Sequence, residues 1–328
     1  MKKILFISST SNISTGSYRI WVNDLSNYFN SIGIDTKITN RIEDSKDYDI
    51  IICGKGDANT AVSVKNNFPN KVVGVINLAA DKIGLPLDFV IVGSIEEIDS
   101  LSEYNNVFMF PLIEKMYQGQ KCKVHGNKKM LRLGFHGSHT HLAKFEPNLR
   151  RALEELDDLI NFELLVITSD PNFNWKIGRP KINNLQIKQW NFETVKKDLS
   201  SCDIGLVPNI TQINAKSFPS DSALGLYNTD YILRMKNKSN AGRAFVFHQL
   251  GIPVVADITP SNFHIMGGDD CGYLVNSKNG WKRSILSLTD KNKRTNISTN
   301  AFNRFNELYD PKKWADKLYK QILEIAHG

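Results

Sequence analysis

The sequence has few cysteines, and they lie far apart. Only four are present among 328 residues, and Cys53, Cys122, Cys202 and Cys271 form no C-x-x-C pair. A structural zinc site or a disulfide framework needs clustered or regularly paired cysteines. The spacing therefore argues against both, and it favours a reducing compartment such as the cytoplasm.

Long hydrophobic runs are also missing. Apolar stretches such as IIIC (50–53), FVIV (89–92) and LLVI (164–167) are far shorter than the roughly 18 residues of a membrane-spanning helix. The opening MKKILFISST has two lysines, but its apolar part is shorter than the roughly 7 to 15 residues of a signal-peptide core. We therefore expect a cytoplasmic protein with no membrane span, which begins with a β-strand.

Several catalytic motifs are absent. The sequence contains no G-x-x-x-x-G-K-[ST] loop and no G-x-S-x-G elbow, and no cysteine lies in a reactive motif. Nucleic-acid recognition motifs are missing too. These absences argue against a P-loop enzyme, covalent catalysis and a nucleic-acid partner.

The chain length predicts the number of domains, and the net charge indicates the kind of partner. A chain of 328 residues with 41% hydrophobic content exceeds the roughly 250 to 300 residues of one core, so two domains are expected. The net charge of +7 suggests an anionic partner, such as a phosphorylated small molecule or an anionic membrane surface. A solvated surface rich in lysine explains the charge equally well.

Short strand candidates alternate with helix-length segments through the whole chain. They run from KILFIS to DFVIVGS in the first third, and a second series begins with LRLGFHGS (131–138) after a basic linker at 118–130. Such alternation is typical of βαβ units and a parallel sheet. We predict an α/β protein with two Rossmann-like, doubly wound domains, at 1–118 and 131–310, followed by a helix at 311–328.

The stretch KSNAGRAFVFHQLGIPVVAD (238–257) predicts a loop, a helix and a buried strand. A helix N-terminus carries unpaired N–H groups and partial positive charge, so it can bind an anion, and Lys238, Ser239, Asn240 and Arg243 lie at or near it. The alternative is that Ser239 or Asn240 only caps the helix. Gly251 and the following Pro253 should end the helix in a left-handed turn.

At this point a family resemblance is visible. The segments WNFETVKKDLSSCDIGLVPN, KSNAGRAFVFHQLGIPVVAD and NAFNRFNELYDPKKWADKL, in this order, resemble the donor-binding domain of GT-B glycosyltransferases, in particular family 4-like enzymes. The first half resembles their N-terminal domain through GSYRIWVNDLSNYFNSIGIDTKI and DFVIVGSIEEIDSL. The resemblance implies two domains that face a cleft, a nucleotide-sugar donor held mainly by the second, and a terminal helix that returns to the first.

The resemblance also implies an activity. Such enzymes move a sugar from a nucleoside diphosphate to an acceptor hydroxyl, with the nucleotide sugar as a co-substrate and no separate cofactor. They usually carry two glutamates eight positions apart, where this sequence has Lys238 and Val246. Retention or inversion therefore stays open, and so do two alternatives: a sugar-nucleotide epimerase, and an inactive protein that binds nucleotide sugars. We expect no metal, because Lys238 and Arg243 can neutralise the leaving diphosphate.

Two further loops are candidates for phosphate binding. FISSTSNISTGSYRI places Gly16 and Arg19 after the first strand, where an ordinary turn with a surface arginine is the alternative. GFHGSHTH carries three histidines, but it lacks the tightly spaced ligands of a metal site. Contact of Gly137 or Ser138 with the donor phosphates is the expectation that the resemblance favours.

Acid–base catalysis needs a group within reach of the acceptor hydroxyl. Asp81, in NLAADKIG, is the candidate, with a helix cap as its alternative role, and Glu114 is expected near the hinge or the donor.

The terminal helix has Trp314, Leu318 and Ile322 at helical spacing, with lysines on its other face. Packing on the first domain is favoured over contact with an anionic membrane beside a lipid-linked acceptor.

Overall fold

The fold is described from a computed structural model. It describes residues 2–78, 84–101, 104–139, 141, 147–175, 178–209, 240–268 and 270–327. These residues form two compact units. The first contains the described residues of 1–120, 240–249 and 303–328, and the second those of 121–239 and 250–302.

The first unit contains a six-stranded sheet in which all described strand pairs are parallel, in the order β2-β1-β3-β4-β5-β6. Its strands are β1 (Ile4–Ile7), β2 (Thr36–Thr39), β3 (Ile50–Cys53), β4 (Val72–Ile76), β5 (Phe89–Val92) and β6 (Val107–Met109). β1, β3 and β5 are buried along their whole length, because they are apolar at every position. β2 lies at the sheet edge and carries the more polar sequence TKIT.

The helices of the first unit come from three parts of the chain. They are α1 (Gly16–Tyr18), α2 (Leu25–Ser31), α3 (Ala58–Asn67), α4 (Ile95–Asp99), α7 (Gly242–Gln249) and α11 (Pro311–His327), with a π-helical segment at Arg19–Asp24 and 3₁₀ turns at Ile42–Asp47 and Lys115–Tyr117. α11 packs on α2 and β6, and Tyr319 Oη donates to the carbonyl of Lys2 at 3.0 Å. The C-terminus is thereby joined to the first strand.

The second unit contains another six-stranded parallel sheet, in the order β12-β11-β10-β7-β8-β9. Its strands are β7 (Leu131–His136), β8 (Phe162–Thr168), β9 (Leu185–Gln189), β10 (Ile204–Val207), β11 (Val254–Asp257) and β12 (Tyr273–Val275). Its helices are α5 (Pro147–Asp157), α6 (Val195–Ser200), α8 (Pro260–Met266) and α9 (Lys278–Ser287), and α10 (Lys291–Leu308) runs from this unit into the first. The prediction of two doubly wound parallel sheets is confirmed.

Gly251 has the left-handed conformation expected after α7, with φ of 65°. A Cβ atom at this position would lie 2.4 Å from the backbone nitrogen of Lys123. The carbonyl of Gly251 is also 3.1 Å from His125 Nε2. Gly251 is therefore required for its conformation and for the close approach of the linker backbone.

Ser277 caps α9 and offers a test of the local fold. Its Oγ accepts a hydrogen bond from the backbone N–H of Gly280 at 3.1 Å. We expect Ser277→Ala to lower the free energy of unfolding by about 1 kcal/mol, because that N–H loses its partner. Ser277→Asp should retain most of the stability in urea titrations. Equal losses in the two variants would contradict the capping role.

Candidate functional site

The second sheet has a crevice position that follows from its strand order. The chain proceeds from β7 to β8 and β9 on one side, and from β10 to β11 and β12 on the other. Ligands of open α/β sheets bind outside the carboxyl ends of the strands where the order reverses. That point lies between β7 and β10, so the candidate site of this unit lies at the carboxyl ends of these two strands, directly after His136 and Val207.

The loop after β7 carries two of the predicted residues. Gly137 has φ of 131°, a conformation that side chains disfavour, and its N–H donates to the carbonyl of Ile167 at 3.0 Å. Ser138 follows and is exposed. The structure therefore places Gly137 and Ser138 at the carboxyl edge of β7, beside the point where the strand order reverses.

Two buried polar residues on the other side of this point escaped the sequence analysis. The carboxylate of Asp257, at the end of β11, accepts from the backbone N–H of Asn209 at 2.7 Å. The side-chain amide of Asn262 donates to the carbonyl of Asp257 at 2.8 Å. Asp257 is only 3% exposed, and its carboxylate holds the backbone of Asn209 directly after β10. The sequence signal for Asp257 is an acidic residue at the end of the apolar run VVAD.

The histidines at the end of β7 and in the loop that follows it do not form a metal site in the part of the chain that is described. His136 is buried, and the ring of His139 stacks on Phe173 at a centroid distance of 5.7 Å. Phe173 in turn lies 4.7 Å from the ring of Trp175. Among the described residues, no three His, Cys, Asp or Glu side chains are placed to hold a metal ion.

The entry to α7 belongs to the first unit. Asn240 Oδ1 accepts from the backbone N–H of Gly242, the first residue of α7, at 3.2 Å. A Cβ atom on Gly242 would lie 3.2 Å from the side chain of Leu112, so this glycine lets the helix pack closely. Arg243 is half-buried. Lys238 and Ser239 lie outside the described residues.

Arg19 occupies a buried position rather than the surface of its loop. It begins the π-helical segment and is 5% exposed. Its Nη2 lies 2.8 Å from Glu114 Oε2, its Nε donates to the same oxygen at 3.1 Å, and its Nη1 donates to the carbonyl of Ile13 at 2.9 Å. Gly16 lies one turn earlier and is half-buried. The guanidinium therefore joins the first loop to the segment after β6.

A second carboxylate lies in the same part of the first unit. Asp24 Oδ2 accepts from the backbone N–H of Lys115 at 3.0 Å, and burial raises the pKa of Asp24. Burial also raises the pKa of Glu114, against the lowering effect of Arg19. Gln249, at the end of α7, donates its amide to the Glu114 carbonyl at 3.1 Å. The segment after β6 is thus held from two sides by buried polar groups.

The first sheet reverses its strand order between β1 and β3. Asp57, which follows β3, accepts from the backbone N–H of Ser9 at 3.2 Å. A Cβ atom on Gly54 would meet the Asp57 carboxylate at 2.8 Å, so glycine leaves room for this contact. The loops after β1 and β3 are thereby linked at the carboxyl edge. The predicted acid–base residue, Asp81, lies outside the described residues.

Comparisons with known proteins give matches in structure but not in sequence. No protein-family model matches the chain, and no curated protein matches it. HepE from Anabaena, in a crystal structure with UDP and glucose, matches with a TM-score of 0.67 at 10% identity, over 99% of this chain and 100% of that chain.

Two further structures match over almost the whole chain. Sucrose-phosphate synthase from Thermosynechococcus elongatus has a TM-score of 0.63 at 12% identity, over 98% of this chain and 100% of its own. A glycosyltransferase from Rickettsia africae has a TM-score of 0.62 at 12% identity, over 99% and 98%. The chain therefore has the GT-B glycosyltransferase fold that its sequence predicted.

Proposed function

We propose that the protein is a glycosyltransferase that moves a sugar from a nucleoside diphosphate, with UDP as the first candidate, to an acceptor hydroxyl. The observation that carries the proposal is the match to HepE over essentially the full length of both chains. Structures of HepE contain UDP, UDP with glucose, and UDP-glucose. The reversal of strand order between β7 and β10 supports the proposal, since open α/β sheets bind ligands at such a point.

The residues of the second unit suit a diphosphate. The exposed Ser138 and the backbone around Gly137 lie at the carboxyl edge where the strand order reverses, and the carboxylate of Asp257 accepts from the N–H of Asn209 after β10. In the reaction, the acceptor oxygen would form a bond to the anomeric carbon while the bond from that carbon to the diphosphate oxygen breaks. The acceptor proton would pass to a base, for which Asp81 stays the candidate, and Lys238 and Arg243 would stabilise the departing diphosphate without a metal.

The proposal names the acceptor only by its chemical class. A hydroxyl of a glycan, a lipid-linked sugar or a small molecule fits, as in the synthesis of bacterial surface polysaccharides or glycoconjugates. None of the helices in the described ranges combines the length and apolar character needed to cross a bilayer. Leu318 and Ile322 of α11 are buried, while Lys312, Lys313 and Lys320 are exposed. We place the enzyme in the cytoplasm, with this lysine face available to the inner membrane surface.

Nucleotide binding is the first expected result. UDP at about 100 times its dissociation constant should stabilise the wild type by about 2.7 kcal/mol, which thermal-shift titrations against UDP, GDP, ADP and CMP would detect. Lys238→Ala should weaken the shift. Lys320→Ala is the matched control, because this exposed lysine pairs with Asp316 one turn away on α11. Absence of a shift with every nucleotide at millimolar concentration would contradict donor binding.

Product analysis separates the proposed activity from its alternatives. Incubation with UDP-glucose and an acceptor panel should give UDP and a glycosylated acceptor. An epimerase would change or release the sugar without using any acceptor. A protein that only binds nucleotide sugars would show the thermal shift and leave UDP-glucose intact.

A further inference from the structure

The linker at 118–130 carries charge of one sign. It contains four lysines, and the sequence has no Asp or Glu from residue 115 to residue 145. The exposed lysines of the linker are Lys121, Lys128 and Lys129. Two apolar side chains are exposed among them, Val124 at 90% and Met130 at 42%. The outer side of the linker is therefore cationic and partly apolar.

Buried contacts hold this segment on the second unit. Lys123 Nζ donates to the carbonyl of Ser200 at 3.0 Å, and His125 Nε2 lies 3.1 Å from the carbonyl oxygen of Gly251. Lys123 and His125 flank Val124, so the side chains on both sides of this residue reach the protein while its own side chain stays exposed. Because the backbone is already fixed, binding through Val124 costs little further ordering of the chain.

The first half of α10 extends the same surface. Arg294 Nη2 donates to the carbonyl of Gly126 at 2.8 Å, and Cys122 Sγ lies 4.0 Å from Thr299 Oγ1. From residue 291 to residue 302, this helix contains no Asp or Glu. We call the combined region the linker surface, and its exposed side chains are Lys121, Val124, Lys128, Lys129, Met130, Lys291 and Lys293.

Carboxylates offset little of this charge. The side chain of Asp203 is 1% exposed, and it pairs with Lys128 at 2.8 Å beneath the surface. Asp290 lies at the margin, where its carboxylate accepts from the backbone N–H of Lys293 at 3.0 Å and caps α10. Within the described ranges, no ion pair involves Lys121, Lys129 or Lys291. These three charges are available to an anionic partner.

We propose that the linker surface binds an anionic lipid bilayer, with its lysines at the headgroups and Val124 and Met130 in the interfacial layer. Exposed apolar side chains among lysines favour a bilayer over a soluble polyanion, which would use the charges alone. The linker also contains no Phe, Trp or Tyr on which a nucleic-acid base could stack. The inference concerns the second unit, and it does not depend on the proposed sugar transfer.

The test is cosedimentation of the whole protein with lipid vesicles. Neutral phosphatidylcholine vesicles are compared with vesicles in which about one lipid in three is anionic phosphatidylglycerol. The double variant Lys121→Ala with Lys129→Ala removes two charges from the linker surface. Lys312→Ala with Lys313→Ala is the matched control, since it removes two exposed lysines from α11 of the first unit.

We expect the wild type to sediment with the anionic vesicles and not with the neutral ones. The linker pair should lower the partition coefficient about 25-fold, since each lysine near an anionic surface contributes about fivefold. Salt at about 1 M should abolish binding, because the Debye length falls to about 3 Å. The α11 pair should retain the wild-type partition, and melting temperatures would verify that each variant is folded.

A third variant separates a bilayer from a soluble polyanion. Val124→Ser removes an apolar side chain without changing the charge, so it should lower the partition onto anionic vesicles about threefold. Binding to immobilised heparin, which offers charge without an apolar layer, should be unchanged in this variant. A wild-type partition of Val124→Ser onto the vesicles would mean that the surface recognises polyanions in general, and it would overturn the bilayer assignment.

Two other results would also overturn the inference. Absence of sedimentation with anionic vesicles at low salt would mean that the linker surface binds no bilayer. Equal losses in the linker pair and the α11 pair would mean that net charge, rather than this surface, attracts the protein. Neither result bears on the nucleotide titrations, so failure of this inference is distinguishable from failure of the proposed function.

Discussion

Replacing Glu114 with alanine should lower the free energy of unfolding by about 3 to 5 kcal/mol, since it removes one partner of a buried ion pair. The side chains of Arg19 and Glu114 are only 6% and 10% exposed, and their charged atoms lie 2.8 Å apart. Without Glu114, the Arg19 guanidinium would have to remain charged in a poorly solvated position. The loss should therefore greatly exceed that of a surface ion pair.

A double variant separates the net contribution of the ion pair to the free energy of unfolding from the cost of removing one of its partners. Arg19→Met combined with Glu114→Leu removes both charges and should recover most of the stability lost by Glu114→Ala. Glu155→Ala is the control, because Glu155 is 37% exposed and its bonds to Lys278 and Lys282 should contribute at most about 1 kcal/mol. Urea unfolding of all four proteins would provide the values. A loss below about 1 kcal/mol for Glu114→Ala would contradict the buried pair.

The fold was predictable because its signals are local. Apolar runs such as IIIC became strands buried along their length, and Gly251 adopted the left-handed turn expected after α7. Pro311 begins the terminal helix, and the carboxylate of Asp310 accepts from the N–H of Lys312 at 2.9 Å. Each of these features depends on residues close together in the chain. Their spacing alone therefore specified the strand and helix order.

The candidate site was less predictable because its contacts join distant residues. The loop sequence predicts that Arg19 is a phosphate ligand or a surface arginine, and nothing in it indicates the pairing with Glu114, 95 positions away. The hydrogen bonds of Asn77 to Ile91 on β5 and to Glu97 also have no local signal. Hydrophobic periodicity indicates which positions are buried, but it does not indicate which buried polar groups form hydrogen bonds with each other. The predicted roles of all the site residues stay predictions: Gly16, Arg19, Asp81, Gly137, Ser138, Lys238, Ser239, Asn240 and Arg243.

A buried histidine on α7 should make the protein sensitive to acid. His248 is 1% exposed, and within the described chain neither ring nitrogen has a hydrogen-bond partner. Burial, with a smaller contribution from Arg304, lowers the pKa of His248 to about 3. The unfolded chain, with a histidine pKa of about 6.5, binds the proton that the folded state excludes. Stability present above pH 6.5 is therefore lost progressively as the pH falls towards 3.

The size of this effect follows from the two pKa values. Between pH 7 and pH 5, the His248 ring should remove about 2 kcal/mol from the free energy of unfolding. His248→Leu cannot bind the proton, so its stability should fall by about 2 kcal/mol less than that of the wild type over this range. His264→Leu is the matched control, because it makes the same substitution at an exposed histidine. Urea titrations at both pH values would decide, and an equal fall in wild type and His248→Leu would mean that the folded protein already accommodates the charged ring.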